Sequence, residues 1–171
     1  LEQKFVQIHQ CLQKLIGLHR QLLELVRQER EALVAADLNR IQECVFGKEA
    51  LLDQLRSEEA ARMKVIAELS VMMKKPFAEL TLPRLILNAQ DIRLDLSEQL
   101  RSSFNMLQVL IQRITEQNAQ NGALVEKSLS HVEQMKQNVL GETVPTATTY
   151  GSSGKRVNRT ASGARLISQE A

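Results

Sequence analysis

Tryptophan is absent from the 171 residues, aromatic side chains reach only 3%, and there are seven glycines and three prolines. Strand-rich sandwiches and doubly wound α/β folds need turn residues at intervals of about ten positions, and this chain has too few to supply them. Four of the glycines, Gly141, Gly151, Gly154 and Gly163, fall beyond residue 140, so the first 140 residues are poorer still. The two cysteines, Cys11 and Cys44, form no C-x-x-C pair, so neither a disulfide framework nor a zinc site is suggested, and two buried reduced thiols are the expectation. A strong excess of one charge is also missing. There are 22 Lys+Arg against 20 Asp+Glu, and the tail from Gly141 holds Lys155, Arg156, Arg159 and Arg165 against Glu142 and Glu170, so the first 140 residues sum to zero. No nucleic-acid partner is expected from such a balance. Apolar runs such as Leu85-Ile86-Leu87 are short, whereas a membrane span needs about 20 residues, so no membrane insertion is expected. The start, Leu1-Glu2-Gln3-Lys4, lacks the plan of a signal peptide and also lacks Met. Cytoplasmic location is the default.

Long helical periodicity is what the chain does have. From Leu1 the seam positions alternate in steps of four and three through Phe5, Ile8, Leu12, Leu15, His19, Leu22, Val26, Glu29 and Leu33, with His19 and Glu29 as its polar interruptions, which is a heptad seam. Cys11, Ile16, Leu18, Leu23 and Leu25 widen the stripe enough to face two neighbours. Asp37 offers an N-cap for a second helix carrying Leu38, Ile41, Val45, Leu52, Leu55, Met63, Ile66, Leu69 and Met73. Pro76 ends it, and a connector runs to Pro83. A third series, from Ile92 through Leu96, Leu100, Leu107, Leu110, Ile114, Asn118, Asn121, Val125, Ser128, Val132 and Met135 to Val139, predicts one helix over about 84–140, roughly 85 Å long at 1.5 Å per residue. The fold expected is therefore all-α: an elongated antiparallel bundle of three long, coiled-coil-like helices (1–34, 38–74, 84–140) followed by a disordered tail over 141–171. Helix three outruns its predecessors, so part of it should stay open to a partner.

Catalytic constellations are not found. The residues three before His9, His19 and His131 are Val6, Ile16 and Ser128, so the Glu-x-x-His pairs of a di-iron bundle are missing. The sequence contains neither His-Glu-x-x-His nor a Walker or G-x-G-x-x-G glycine pattern. His19 has Leu22 three residues on, where a phosphotransfer helix has Lys, and it lies on the seam. A non-enzyme without metal or cofactor is expected. More informative is the polar stretch 116–122. Asn118, Asn121 and Gly122 interrupt the third stripe as a polar layer, which either fixes register and allows close backbone approach or is a solvated break.

Taken in order, Glu31-Ala32-Leu33, Asp37, Ile41, Lys48 with Leu51-Leu52, Asn118-x-x-Asn121-Gly122-x-Leu124 and Tyr150-Gly151-x-x-Gly154 resemble the FlgN family of cytosolic flagellar export chaperones. The resemblance runs from about Leu12 to Gly154. It implies binding of the C-terminal helical segments of the hook–filament junction proteins FlgK and FlgL, and their delivery to the type III export gate. Leu124, Val125, Leu129, Val132, Met135 and Val139 form the expected client-binding stripe, by the helix-in-groove mode; the other reading packs these six onto helix one as core. By the same resemblance Tyr150 and Gly151 would dock on the export gate protein FlhA, unless Tyr150 folds back on the bundle. The competing class is a structural coiled-coil adaptor that self-assembles. A client chaperone predicts a monomer or small homo-oligomer instead.

Overall fold

A computed structural model describes residues 1–140. The chain divides into two units, Leu1–Leu124 and the part from Val125 onward. The described residues hold four α-helices and no strand: α1 (Glu2–Val34), α2 (Leu38–Met73), α3 (Leu82–Gln90) and α4 (Leu94–Leu140), with a 3-10 turn at Phe77–Glu79.

Helix ends follow local chemistry. Ala36 takes a left-handed conformation (φ 53°), and the Asp37 and Ala36 amides close back on the Ala32 and Leu33 carbonyls at 3.0 and 3.2 Å, satisfying acceptors that α1 leaves open. Asp37 then caps α2 by accepting from the Arg40 amide at 3.1 Å, as expected. At the far end of α2, Lys74 (φ 52°) reverses the chain, the Lys75 amide reaches the Ser70 carbonyl, and the Ser70 hydroxyl donates to the Lys75 carbonyl at 2.6 Å.

The single third helix expected over 84–140 is two helices. Thr81 precedes α3, with Pro83 in its first turn, where its missing N–H costs nothing; Pro83 thus opens a helix instead of closing the connector. α3 stops at Gln90, although 91–93 contain neither Gly nor Pro. The break is held by tertiary contacts. Arg93 donates to Asp95 Oδ1 at 2.9 Å and to Glu2 Oε1 at 2.7 Å, and the buried Ser97 hydroxyl donates to the Ile86 carbonyl at 2.9 Å. The break lets Leu85, Ile86 and Ala89 of α3 share one core with Leu96 and Leu100 of α4.

That core also takes Phe5, Ile8, Leu12 and Leu15 of α1, Ile66 and Leu69 of α2, and Leu80. A second cluster joins Ile16, Leu22, Leu23 and Val26 of α1 to Leu51 of α2 and to Leu110 and Ile114 of α4. The α1 seam is as expected, apart from Leu1, which is exposed. The first half of α2 is turned. Leu38, Val45 and Leu52 are exposed, as is Met63 further along, and Cys44 and Leu51 are buried in place of their apolar neighbours. Adjacent apolar pairs leave the choice to packing: Leu25 of α1 lies where a side chain on Gly47 would begin, 2.9 Å from that position, so this edge of α2 faces α1. Leu51→Ala should accordingly destabilise by about 2–3 kcal/mol, and Leu52→Ala by less than about 1 kcal/mol, read from urea unfolding midpoints. Equal losses would return α2 to the expected register.

Candidate functional site

Two polar layers cross the core of the first unit. In one, Ser103, buried on α4, donates to the Gln99 carbonyl at 2.8 Å and accepts from Gln13 at 2.9 Å, with His9 Nδ1 3.3 Å away. Burial lowers the His9 pKa from its ordinary 6.5. In the other, Glu29 of α1 accepts from Lys48 of α2 at 2.6 Å and from Asn121 of α4 at 2.9 Å. The Asn121 amide also donates to the Val26 carbonyl at 3.0 Å. The side chains of Glu29 and Lys48 are only 12% and 21% exposed, so the pair is largely withdrawn from water. Asn121 Oδ1 is buried with no partner.

Of the three residues expected in the polar layer, only Asn121 lies in it. Asn118 is exposed. Gly122 is exposed as well, and a Cβ there would meet nothing within 4 Å, so it permits no close approach. Lys48 and Glu29 belong to the layer, and the periodicity alone marked Glu29 only as an interruption.

The second unit begins at Val125, inside α4. Val125, Leu129, Val132, Met135 and Val139 are all exposed there, from 38% at Val125 to 80% at Val139. With about 100° per residue they share an arc of roughly 120° on one helix face. None of the five is buried as core. Lys136 falls within the same arc and makes no ion pair among the described residues. Leu124, the sixth expected contact, is half-buried in the first unit. Tyr150 and Gly151 lie outside the described residues.

Other surfaces have less chemistry. Two open clefts of about 330 and 520 Å³ lie along α1 and α2; Gly17, Leu18 and Glu58 line the first, and Leu25 and Leu51 the second. Of the two thiols expected to be buried, Cys44 is and Cys11 is only half-buried, and burial pushes both above their ordinary value, which makes them poor nucleophiles. No cluster of His, Cys, Asp and Glu suited to a metal occurs among the described residues, and no described helix is long and apolar enough to cross a membrane.

The family model described as FlgN protein matches residues 5–158, most of the chain. The chain belongs to the FlgN family. FlgN proteins are flagellar export chaperones. Comparison with curated proteins and with solved structures gave no match.

Lys48→Met should cost about 2–3 kcal/mol, because the Glu29 carboxylate keeps only Asn121 as a partner, and adding Glu29→Gln should recover most of it in a double-mutant cycle. Stability should also decline with acid through His9. Its folded form resists protonation while the unfolded chain accepts a proton near 6.5, so this contribution is complete above that value and is lost as pH falls below it. His9→Gln should flatten the stability profile in that range.

Proposed function

We propose that the chain is a cytoplasmic chaperone that holds the C-terminal helical segments of FlgK and FlgL along Val125, Leu129, Val132, Met135 and Val139, and presents them to FlhA through Tyr150 and Gly151. The observation that carries the reading is the exposure of five apolar side chains in one arc. A client helix that would otherwise self-associate covers its own apolar face by lying along this stripe. Met135 adapts to different client side chains, and Lys136 within the arc favours a client with a carboxylate opposite it.

Self-assembly through the same stripe is the competing reading. An in-register parallel pair would bring two Lys136 side chains together, which weighs against that closure. The free chaperone is therefore a monomer or small homo-oligomer.

Calorimetry of the purified chain with FlgK and FlgL C-terminal segments, with light scattering for mass, separates the two. A stoichiometric complex with a negative heat-capacity change is expected. Leu129→Glu with Val132→Glu should weaken it at least tenfold while leaving the thermal melt of the bundle in place. Tyr150→Ala should spare client binding and weaken binding to FlhA. A self-associated species indifferent to both segments would overturn the chaperone reading.

A further inference from the structure

The turn that follows α2 combines exposed apolar side chains with unneutralised positive charge. Val71, Met72 and Phe77 are 79%, 52% and 46% exposed. Between Val71 and Met72 on one side and Phe77 on the other come Lys74 and Lys75, and residues 70–78 contain no acidic residue. Among the described residues neither lysine meets a carboxylate: Lys75 donates to the neutral Asn88 oxygen at 3.2 Å, and the nearest acid in sequence, Glu79, is paired with Arg84 at 3.5 Å.

This exposure does not come from a loose segment. Leu80, three residues past Phe77, is buried in the core, and the Glu79 and Leu80 amides close on the Pro76 and Phe77 carbonyls at 3.0 Å. The reversal at Lys74 is held by the Ser70 and Lys75 bonds already described. An anchored turn thus leaves Val71, Met72 and Phe77 exposed beside two exposed lysines that meet no carboxylate among the described residues. Neither of the two clefts along α1 and α2 includes any of these residues.

We propose that the turn 71–77 docks the protein on a bilayer surface rich in anionic lipid. Val71, Met72 and Phe77 enter the boundary between headgroups and acyl chains, and Lys74 and Lys75 lie at the level of the lipid phosphates. Attachment is peripheral and reversible, because three small insertions and two charges fall well short of a permanent anchor. Salt weakens it.

The test is flotation of the full chain with vesicles of phosphatidylglycerol and phosphatidylethanolamine, against vesicles of phosphatidylcholine. Binding to the anionic vesicles alone is expected, falling at least tenfold in Lys74→Glu/Lys75→Glu and several-fold in Phe77→Ser, with helicity by circular dichroism unchanged. Lys74→Gln/Lys75→Gln gives the same direction if the glutamate pair disturbs the turn. Lys155→Glu/Arg156→Glu removes as much charge from the tail and should change binding less than twofold. Equal partition onto neutral and anionic vesicles, or a tail variant that loses as much as the turn variant, would overturn the proposal.

Discussion

The Glu29 carboxylate is where α1, α2 and α4 are tied into one register. Apolar side chains alone specify a helical seam loosely, since a leucine contact survives a shift of one heptad. A carboxylate 12% exposed does not. It needs Lys48 on one oxygen and Asn121 on the other, and any sliding of α2 or α4 leaves a charge withdrawn from water without its partners. Asn121 is fixed in turn by the Val26 carbonyl. Both of its amide donor contacts end on acceptors, so the amide cannot be reversed without placing oxygen against oxygen. The unpartnered Oδ1 is the cost of that specificity.

A different device closes the other end of the first unit. There the chain has to bring α3 and the start of α4 onto the core formed by Phe5, Ile8, Ile66 and Leu69. One continuous helix would carry the two apolar sets past that core along a single axis. The interruption at 91–93 re-aims them, and its open backbone groups are answered by the Ile92 and Arg93 amides on the Ala89 carbonyl and by the Ser97 hydroxyl on Ile86. The same economy of contacts fixes the turn after α2, where Leu80 is drawn inward and Phe77 is left outside.

What the sequence made legible follows the range of each interaction. Helical class, the Asp37 cap and the α1 seam rest on spacing and short-range hydrogen bonds, and they could be read directly. The register of α2 could not, because Cys44 beside Val45 and Leu51 beside Leu52 give periodicity no means of choosing, and the choice is made by Leu25 against Gly47 across the hairpin. The α3–α4 break was hidden for a similar reason: its determinants, Glu2 and Ile86, are remote from Asp91 or carry no breaker signal. Glu29 and Asn121 stood out separately as interruptions of two stripes. That they meet, and that Lys48 completes the pair, is a three-helix fact that no single stripe contains.

The stripe from Val125 to Val139 has a thermodynamic consequence of its own. A helical stretch of about 15 residues is marginal in water unless an apolar face is buried, and here that face carries five exposed side chains. Its hydrogen bonds are therefore among the cheapest to open among the described residues. Anything that covers the stripe stabilises the helix and the complex together, by an amount that grows with the logarithm of its concentration over its dissociation constant. The first unit, with its buried clusters and its Glu29 contact, has no such dependence. A ligand that binds the stripe should therefore protect the amides of 125–139 from exchange far more than those of 5–26, and this contrast separates docking on α4 from a general tightening of the bundle.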